Sequence, residues 1–95
     1  MYQLIITEPF KERRDSLIKK DPKFAKMLTK TLRLLTIDPH YPSLNSHQVE
    51  TPDFGKRYSS YVTGNIRLIW DYTDTKLMLI LLDLGGHSGK NKVYK

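Results

Sequence analysis

The hydrophobic positions in the first part of the chain predict one strand and two helices. Residues 2 to 7 are apolar and β-branched at their centre, which predicts a strand. Pro9 ends that strand and suits the first turn of a helix, with Thr7 or Glu8 near the cap. Asp21-Pro22 marks a second helix start, after which apolar residues follow helical spacing at Phe24, Met27, Leu28, Leu32 and Leu35. These patterns predict an αα-hairpin whose second helix packs on the core through that apolar stripe.

The second part of the chain has the patterns of a sheet. Residues 39 to 54 are a polar loop with one short extended piece around residues 47 to 50. Residues 58 to 62 and 66 to 72 flank Gly64-Asn65 and predict a β-hairpin. Residues 76 to 84 are a nearly continuous apolar run, which is typical of a central strand, and Gly85-Gly86 ends it. The prediction is therefore a single α+β domain over residues 1–95, of order β-α-α-β-β-β. In it the N-terminal strand precedes a helical hairpin, which covers one face of a mainly antiparallel three-stranded sheet.

Composition narrows the class of partner. The 95 residues carry 16 Lys and Arg against 10 Asp and Glu, for a formal charge of +6. This excess favours a nucleic acid or an acidic protein as partner, although a basic surface kept for solubility gives the same count. The absence of cysteine excludes disulfides and thiol catalysis. No apolar run is long enough to span a bilayer and the N-terminus lacks a signal-peptide pattern, so we expect a cytoplasmic protein without a membrane partner.

The basic residues of the second predicted helix form one stripe. They recur at steps of three, four and three, which places them on the helix face away from the apolar stripe. Because Lys and Arg contact phosphates, we interpret this stripe as a candidate RNA-binding surface, made of Lys23, Lys26, Lys30 and Arg33.

Three short motifs follow in order along the predicted loop and strands. Residues 42 to 49 read PSLNSHQV, residues 64 to 70 read GNIRLIW, and residues 85 to 87 read GGH, with Tyr94 a few positions later. In this order, and with this chain length, they resemble the RelE/ParE superfamily of toxins from type II toxin–antitoxin systems. The resemblance spans nearly the whole chain. It implies a RelE-like fold, a cognate antitoxin as partner, and in the RNA-cutting branch cleavage of mRNA in the decoding site of the ribosome.

The resemblance also implies a cleavage that uses the RNA's own 2′-hydroxyl and leaves a 2′,3′-cyclic phosphate and a 5′-hydroxyl. Without a metal, such a cut needs a base, a cation for the phosphorane charge and an acid for the leaving oxygen. His, Lys, Arg and Tyr side chains supply all three. The histidines His40, His47 and His87 lie in polar segments whose spacing does not demand a metal, so we expect no cofactor and no metal site.

Four residues are candidates for the chemistry. Arg67 matches the motif arginine that stabilises phosphate charge, but a structural salt bridge to Asp71 or Asp83 is the alternative. His87 follows two glycines and suits an acid or base, unless it is only an exposed loop histidine. Tyr94 either stacks on a base or packs for stability. His47 matches a loop histidine that only some members use.

Lys56 and Arg57 precede the first hairpin arm, where family members place RNA-gripping basic residues; a solvated strand start is the alternative. One position departs from the family pattern, because Ser88 stands where many members have an arginine after the histidine. Lys90 and Lys92, the nearest basic residues after Ser88 in the sequence, are the candidates for supplying the missing charge, although neither stands at the same position. This departure indicates a variant of the cleavage chemistry that depends on histidine, in place of the variant that depends on arginine and lysine.

Two other functions fit the same fold. The first is the ParE branch, whose members inhibit DNA gyrase without cutting nucleic acid. The second is a non-catalytic RNA-binding module. Loss of protein synthesis, filamentation with a DNA-damage response, or no toxicity on expression separates the three.

Overall fold

The computed structural model describes residues 2–73 and 78–86. Two helices and a five-stranded sheet make up this part of the chain, which confirms the predicted α+β class. The elements in order are β1 (Gln3–Ile6), α1 (Glu8–Lys20), α2 (Phe24–Ile37), a 3-10 turn (Pro42–Leu44), β2 (His47–Thr51), β3 (Gly55–Tyr61), β4 (Arg67–Thr73) and β5 (Met78–Gly85).

The first helix begins where the sequence predicts, whereas α2 begins at Phe24, two residues after the predicted start at Pro22, with Lys23 as its N-cap. Thr7 is the N-cap of α1, but its hydroxyl donates to Leu81 O at 2.6 Å and so ties the helix start to the sheet. Pro9 lies in the first turn, where its missing N–H costs nothing. Before α2 the carboxylate of Asp21 accepts a hydrogen bond from the Lys23 amide at 3.1 Å. Within the described residues, neither helix is long and apolar enough to cross a bilayer.

The sheet has the strand order β1-β5-β4-β3-β2 and is one strand wider than the predicted arrangement. β1 runs parallel to β5, and the other three pairs are antiparallel, so the mainly antiparallel character is confirmed. The additional strand is β2, which grows out of the predicted extended piece of the loop. A three-residue turn joins it to β3, whose first residue is Gly55 with a φ of +71°, a value that favours glycine.

The core lies between the helices and one face of the sheet, which we call the helix-covered face. Each apolar side chain fully buried there stabilises the fold by about 1.5–3 kcal/mol. Buried side chains from both sides form one cluster, made of Phe10, Phe24, Leu28, Leu35, Leu44, Leu68, Trp70, Leu79, Leu81 and Leu84. Met27 was predicted to face this core, and that prediction is wrong: the residue is 39% exposed, because α2 runs past the β3–β4 turn at this point and not over the sheet.

Trp70 anchors the centre of this core. It is fully buried and stacks on Tyr58 with ring centroids 4.9 Å apart. Its indole N–H donates to Ser60 Oγ at 2.8 Å, and the Ser46 hydroxyl lies 2.6 Å from the same oxygen. Ser46 in turn donates to Pro39 O at 2.7 Å. The polar loop before β2 is therefore fastened to the core by a short chain of buried and partly buried hydrogen bonds.

Candidate functional site

The face of the sheet opposite the helices, here called the polar face, carries three of the candidate residues, His47, Arg57 and Arg67. Side chains alternate across each strand, so the residues that do not point at the helices share this face. The strand register places there His47, Val49 and Thr51 of β2, Arg57, Ser59 and Tyr61 of β3, Arg67, Ile69, Asp71 and Thr73 of β4, and Met78, Ile80, Asp83 and Gly85 of β5.

Arg67 is held in a cradle at one end of this face. Its Nη1 donates to the carbonyls of Thr63 at 2.9 Å and Gly64 at 3.2 Å, both in the β3–β4 turn. The guanidinium carbon lies 3.8 Å from the ring centroid of Tyr61, its cross-strand neighbour. The residue is only 5% exposed. The backbone carbonyls and the tyrosine ring together fix the position of the Arg67 guanidinium beside the β3–β4 turn.

The charge of Arg67 is not neutralised within the described part of the chain. No carboxylate lies within 4.0 Å of it there, and its Nε has no hydrogen-bond partner. The predicted alternative of a salt bridge to Asp71 or Asp83 is therefore wrong, because both acids pair with other residues. A nearly buried cation without a counter-ion attracts an anion.

The two acids of the polar face have their own partners. Asp71 pairs with Arg57 at 3.3 Å, so this predicted RNA-binding arginine already has a counter-ion. Asp83 lies 3.9 Å from Arg13 of α1 and accepts a hydrogen bond from the Leu84 amide at 2.8 Å. Burial raises the pKa of the Asp83 carboxyl above its ordinary value, while that amide and the Arg13 charge act in the opposite direction.

A cleft borders the polar face beside Asp83. It has a volume of about 530 Å³ and is lined on one side by α1 and on the other by the β2–β3 turn, with Arg13, Lys20, Asp53, Phe54, Asp83 and Gly85 among its residues. Gly85 is also the register partner of Arg67. The cleft thus reaches the strand end next to the Arg67 cradle.

His47 shares the polar face with Arg67 but not its immediate surroundings. His47 lies opposite Ser59 of β3, and Arg67 lies opposite Tyr61 of the same strand. His47 and Arg67 are therefore separated by two interstrand spacings across the sheet and by two residues along it. Ordinary strand geometry makes this roughly 12 Å between Cα atoms. His47 is exposed, and its Nδ1 lies 2.9 Å from Asn45 O. The structure brings the two residues to one surface and not into contact.

The predicted basic residues are placed differently from one another. Those of the α2 stripe (the N-cap Lys23, with Lys26, Lys30 and Arg33 of the helix) are all exposed, which confirms that the stripe faces outward. Lys56 is exposed opposite Glu50 on the β2–β3 hairpin. His87, Tyr94, Lys90 and Lys92 lie outside the described residues, as does Ser88, and their predicted roles stay predictions. Within residues 2–73 and 78–86, no three His, Asp or Glu side chains converge on a metal-binding point.

Tyr61 is the site residue that sequence reasoning missed. A two-residue turn at Gly64-Asn65 pairs position 62 with Arg67, which puts Tyr61 on the other face. The structure instead pairs Tyr61 with Arg67 across a longer loop, with the Val62 amide donating to Ile66 O. A register change of one residue exchanges the two faces of a strand, and the sequence carries no clear signal for it.

Comparison with known proteins gives the fold. No protein-family model matches the sequence, and no curated protein matches it. Among solved structures, a metal-bound toxin from Helicobacter pylori superposes with a TM-score of 0.75 at 19% identity, over 92% of this chain and 96% of that one. A YoeB/ParE toxin from Agrobacterium tumefaciens superposes with a TM-score of 0.71 at 12% identity, over 90% and 99% of the two chains. The toxin–antitoxin complex RelBE2 from Mycobacterium tuberculosis gives 0.65 at 15%, over 90% and 96%. The chain has the fold of RelE/ParE-type toxins.

Proposed function

We propose that this chain is the toxin of a toxin–antitoxin system and cuts mRNA on the ribosome in the cytoplasm, silenced by a cognate antitoxin. Its fold is shared with several toxins, one of which was solved as a toxin–antitoxin complex. The basic charge of +6 suits both an RNA substrate and an acidic inhibitor. These observations support a toxin, and the RNA-cutting activity rests on the residues of the polar face.

The observation that carries the proposal is the unneutralised Arg67 guanidinium. It is 5% exposed, fixed by backbone carbonyls and stacked on Tyr61, and its Nε has no hydrogen-bond partner among residues 2–73 and 78–86. A cation held in advance does not need to reorganise when charge develops on a phosphorane, and this is where electrostatic catalysis gains most. Arg67 would supply the phosphate-stabilising part of the cleavage.

The acid–base part is assigned to histidine. His87 follows Gly85-Gly86 in the sequence, and Gly85 is the register partner of Arg67, which supports His87 as the first candidate. His47 is the second candidate on the same face. Tyr94 would stack on a base or assist the proton transfer. Because Ser88 replaces the arginine usual in the family, the proposed chemistry depends on histidine and on the single arginine Arg67.

The exposed α2 stripe would bind the RNA backbone away from the cut, together with Lys56, Lys90 and Lys92. Contacts of this kind position the substrate and make binding dependent on salt. Arg57 contributes less in this proposal, because Asp71 already neutralises it.

The test is primer extension on mRNA from a translating extract, with and without the purified chain. New 5′ ends in the mRNA that appear only while ribosomes translate support the proposal. Wild type is compared with Arg67→Ala and His87→Ala, each checked for folding by circular dichroism. Intact mRNA in the presence of folded wild-type protein overturns it. A parallel DNA gyrase supercoiling assay assigns the chain to the ParE branch if supercoiling stops while the mRNA stays whole.

A further inference from the structure

The cleft beside Asp83 combines an aromatic wall with a carboxylate and a guanidinium. Its volume of about 530 Å³ is within the range of sites that hold small ligands. Phe54 of the β2–β3 turn is partly buried in one wall, and Leu17 and Ile66 add partly buried apolar surface. Such apolar and aromatic walls, with a few placed polar groups, are typical of ligand-binding sites. We call this site the Asp83 cleft.

Asp83 and Arg13 are neighbours in this cleft. The Arg13 Nε lies 3.9 Å from Asp83 Oδ1, which is beyond hydrogen-bond distance, and Nη1 of the same guanidinium lies 3.4 Å from Leu84 O. The side chain of Asp83 is 12% exposed, and that of Arg13 is 36% exposed. The Leu84 amide donates to the same oxygen, Oδ1, at 2.8 Å. The pair therefore presents an acceptor group and a donor group side by side.

Burial leaves the Asp83 carboxylate short of hydrogen-bond donors. Burial raises the pKa of this carboxyl above its ordinary value, against the effects of the Leu84 amide and the Arg13 charge, and the nearby Asp53 charge raises it further. A ligand that donates hydrogen bonds to the carboxylate would favour its charged form. The Asp83 cleft therefore suits a ligand that carries donors on one edge.

The charges around the cleft favour a neutral ligand over a phosphate. Among the described lining residues, the acids outnumber the bases: the acids are Glu12, Asp53 and Asp83, and the bases are Arg13 and Lys20. A phosphodiester is instead expected at Arg67, which does not line the cleft and has no carboxylate partner among residues 2–73 and 78–86. The two sites therefore suit the two parts of a nucleotide, a neutral base and a charged phosphate.

The Asp83 cleft lies close enough to Arg67 for one nucleotide to reach both. Gly85 is the register partner of Arg67, and Asp83 stands two positions earlier on the same strand and on the same face. Residues related in this way in an antiparallel pair are about 7–8 Å apart. A nucleotide with its base in the cleft can therefore place its phosphate at the Arg67 guanidinium.

We propose that the Asp83 cleft holds a guanine base of the RNA substrate, next to the phosphate at Arg67. Guanine presents two neighbouring donors, N1–H and N2–H, and two neighbouring acceptors, O6 and N7. Phe54 stacks on the ring, Asp83 accepts from N1–H and N2–H, and Arg13 donates to O6 and N7. This assignment rests on the proposed function, and it makes the cleft the part of the site that selects the sequence to be cut.

The other three bases match this pair less completely. Adenine presents an acceptor where guanine has N1–H, and a carboxylate repels it. Cytosine has a single amino group, which satisfies one carboxylate oxygen, and uracil has a single N–H between two carbonyls. Because Asp83 is nearly buried, a base that leaves its carboxylate without donors binds less tightly.

The experiment is an NMR titration of the intact chain with short oligonucleotides that carry G, A, C or U at the centre and uridine elsewhere. Their riboses are 2′-deoxy, so that none can be cut. We expect the G oligonucleotide to bind about tenfold more tightly than the others, since a bidentate contact discriminates bases by about this factor. Asp83→Asn should remove this preference. Asp53→Asn is the matched control, because it removes the same charge from an exposed side chain of the same cleft and should keep the preference.

Four results overturn the inference: equal affinity for the four oligonucleotides, preference for another base, a guanine preference that folded Asp83→Asn retains, or equal loss of preference in Asp53→Asn. Free GMP that binds as tightly as the G oligonucleotide also overturns it, because the cleft would then serve a small nucleotide. If Asp83→Asn does not fold, Arg13→Gln takes its place: it removes the donors to O6 and N7 and should reduce the preference about tenfold.

The titration does not depend on mRNA cleavage, so the two proposals fail separately. A chain that prefers the G oligonucleotide through Asp83 but leaves translated mRNA whole disproves the nuclease proposal alone. A chain that cuts translated mRNA at sites without an adjacent guanine disproves the role of the cleft alone.

Discussion

The two faces of the sheet are built from alternate residues of the same strands but differ in what they contain. On the helix-covered face, Leu68 and Trp70 are fully buried among apolar neighbours. On the polar face, the neighbouring Arg67 is also nearly buried, yet it is surrounded by carbonyl oxygens and one aromatic ring. Burial alone therefore does not distinguish the core from the site.

The difference lies in how the buried groups are satisfied. The polar atoms of the core are paired internally, as the indole N–H of Trp70 is with Ser60. Arg67 keeps an unneutralised charge and an Nε without a partner among the described residues. Since an unpaired buried charge costs stability, the position is explained by a ligand better than by packing. The comparison predicts that changes to the buried apolar residues act mainly on stability and that changes to Arg67 act mainly on activity.

The largest effect on stability should come from Trp70→Ala. Removing a fully buried indole leaves a cavity and should lower the free energy of unfolding by about 3–5 kcal/mol. Urea denaturation followed by circular dichroism measures it. Because such a loss can unfold a domain of this size, Trp70→Phe is the companion: it keeps the ring packing, loses the hydrogen bond to Ser60, and should cost less. A loss below about 1 kcal/mol for Trp70→Ala would contradict the core assignment.

Arg67→Ala should act mainly on cleavage. Loss of one prearranged charge-stabilising group lowers the rate by about 10²–10³. Single-turnover cleavage on programmed ribosomes measures this, and urea denaturation of the same sample separates it from unfolding. Arg67→Lys keeps the charge but not the planar fork, so it should recover part of the activity. If folded Arg67→Ala cuts at the wild-type rate, the cradle only supports the β3–β4 turn.

The double change Lys26→Glu with Lys30→Glu should have a smaller effect, on binding. Each lysine that contacts a phosphate contributes about one to the slope of log affinity against log salt, so the slope for ribosomes should fall by roughly two. Lys11→Glu with Lys19→Glu is the control, because it changes net charge equally on exposed positions of α1. Equal losses in both variants would mean that net charge matters and the stripe does not.

Much of this comparison could be predicted from the sequence. Helical spacing located Phe24, Leu28 and Leu35 in the core. The alternation of side chains along β4 placed Arg67 on one face of the sheet and Leu68 and Trp70 on the other. These signals are strong because each element buries one face. Met27 follows the same spacing but is exposed. The spacing predicts which side of the helix is apolar, but it does not predict which element packs against each position on that side.

What could not be predicted depends on strand register. From Leu79 and Leu81, simple alternation directs Asp83 into the core. A bulge at Leu82 shifts the register between Ile69 and Trp70, so Asp83 pairs with Ile69 on the polar face and Leu84 returns to the core. The Arg67–Tyr61 contact depends on register in the same way. One extra residue in a strand or turn does not change the composition of the sequence. For this reason the sequence did not predict the contact of Arg67 with Tyr61 or the position of Asp83.

The smallest expected effect is a pH dependence from Asp83, the acid that the bulge places beside the cleft. Burial raises the pKa of its carboxyl in the folded chain, so the folded state retains a proton that the unfolded state, at the ordinary 3.8, has already released. The proton favours folding: its contribution is complete below the unfolded pKa and is lost as pH rises through the folded pKa.

Asp83→Asn keeps an oxygen that can accept from the Leu84 amide but does not titrate. Its stability relative to wild type should therefore increase as pH rises from about 3 and then level off. The Arg13 charge and the Leu84 hydrogen bond oppose the effect of burial, which keeps the difference small. Urea denaturation of both chains across this range measures the difference, and the carboxyl carbon resonance of Asp83 gives the direction of the pKa shift independently. A difference that falls as pH rises would mean that Arg13 dominates and that Asp83 belongs to an ordinary ion pair.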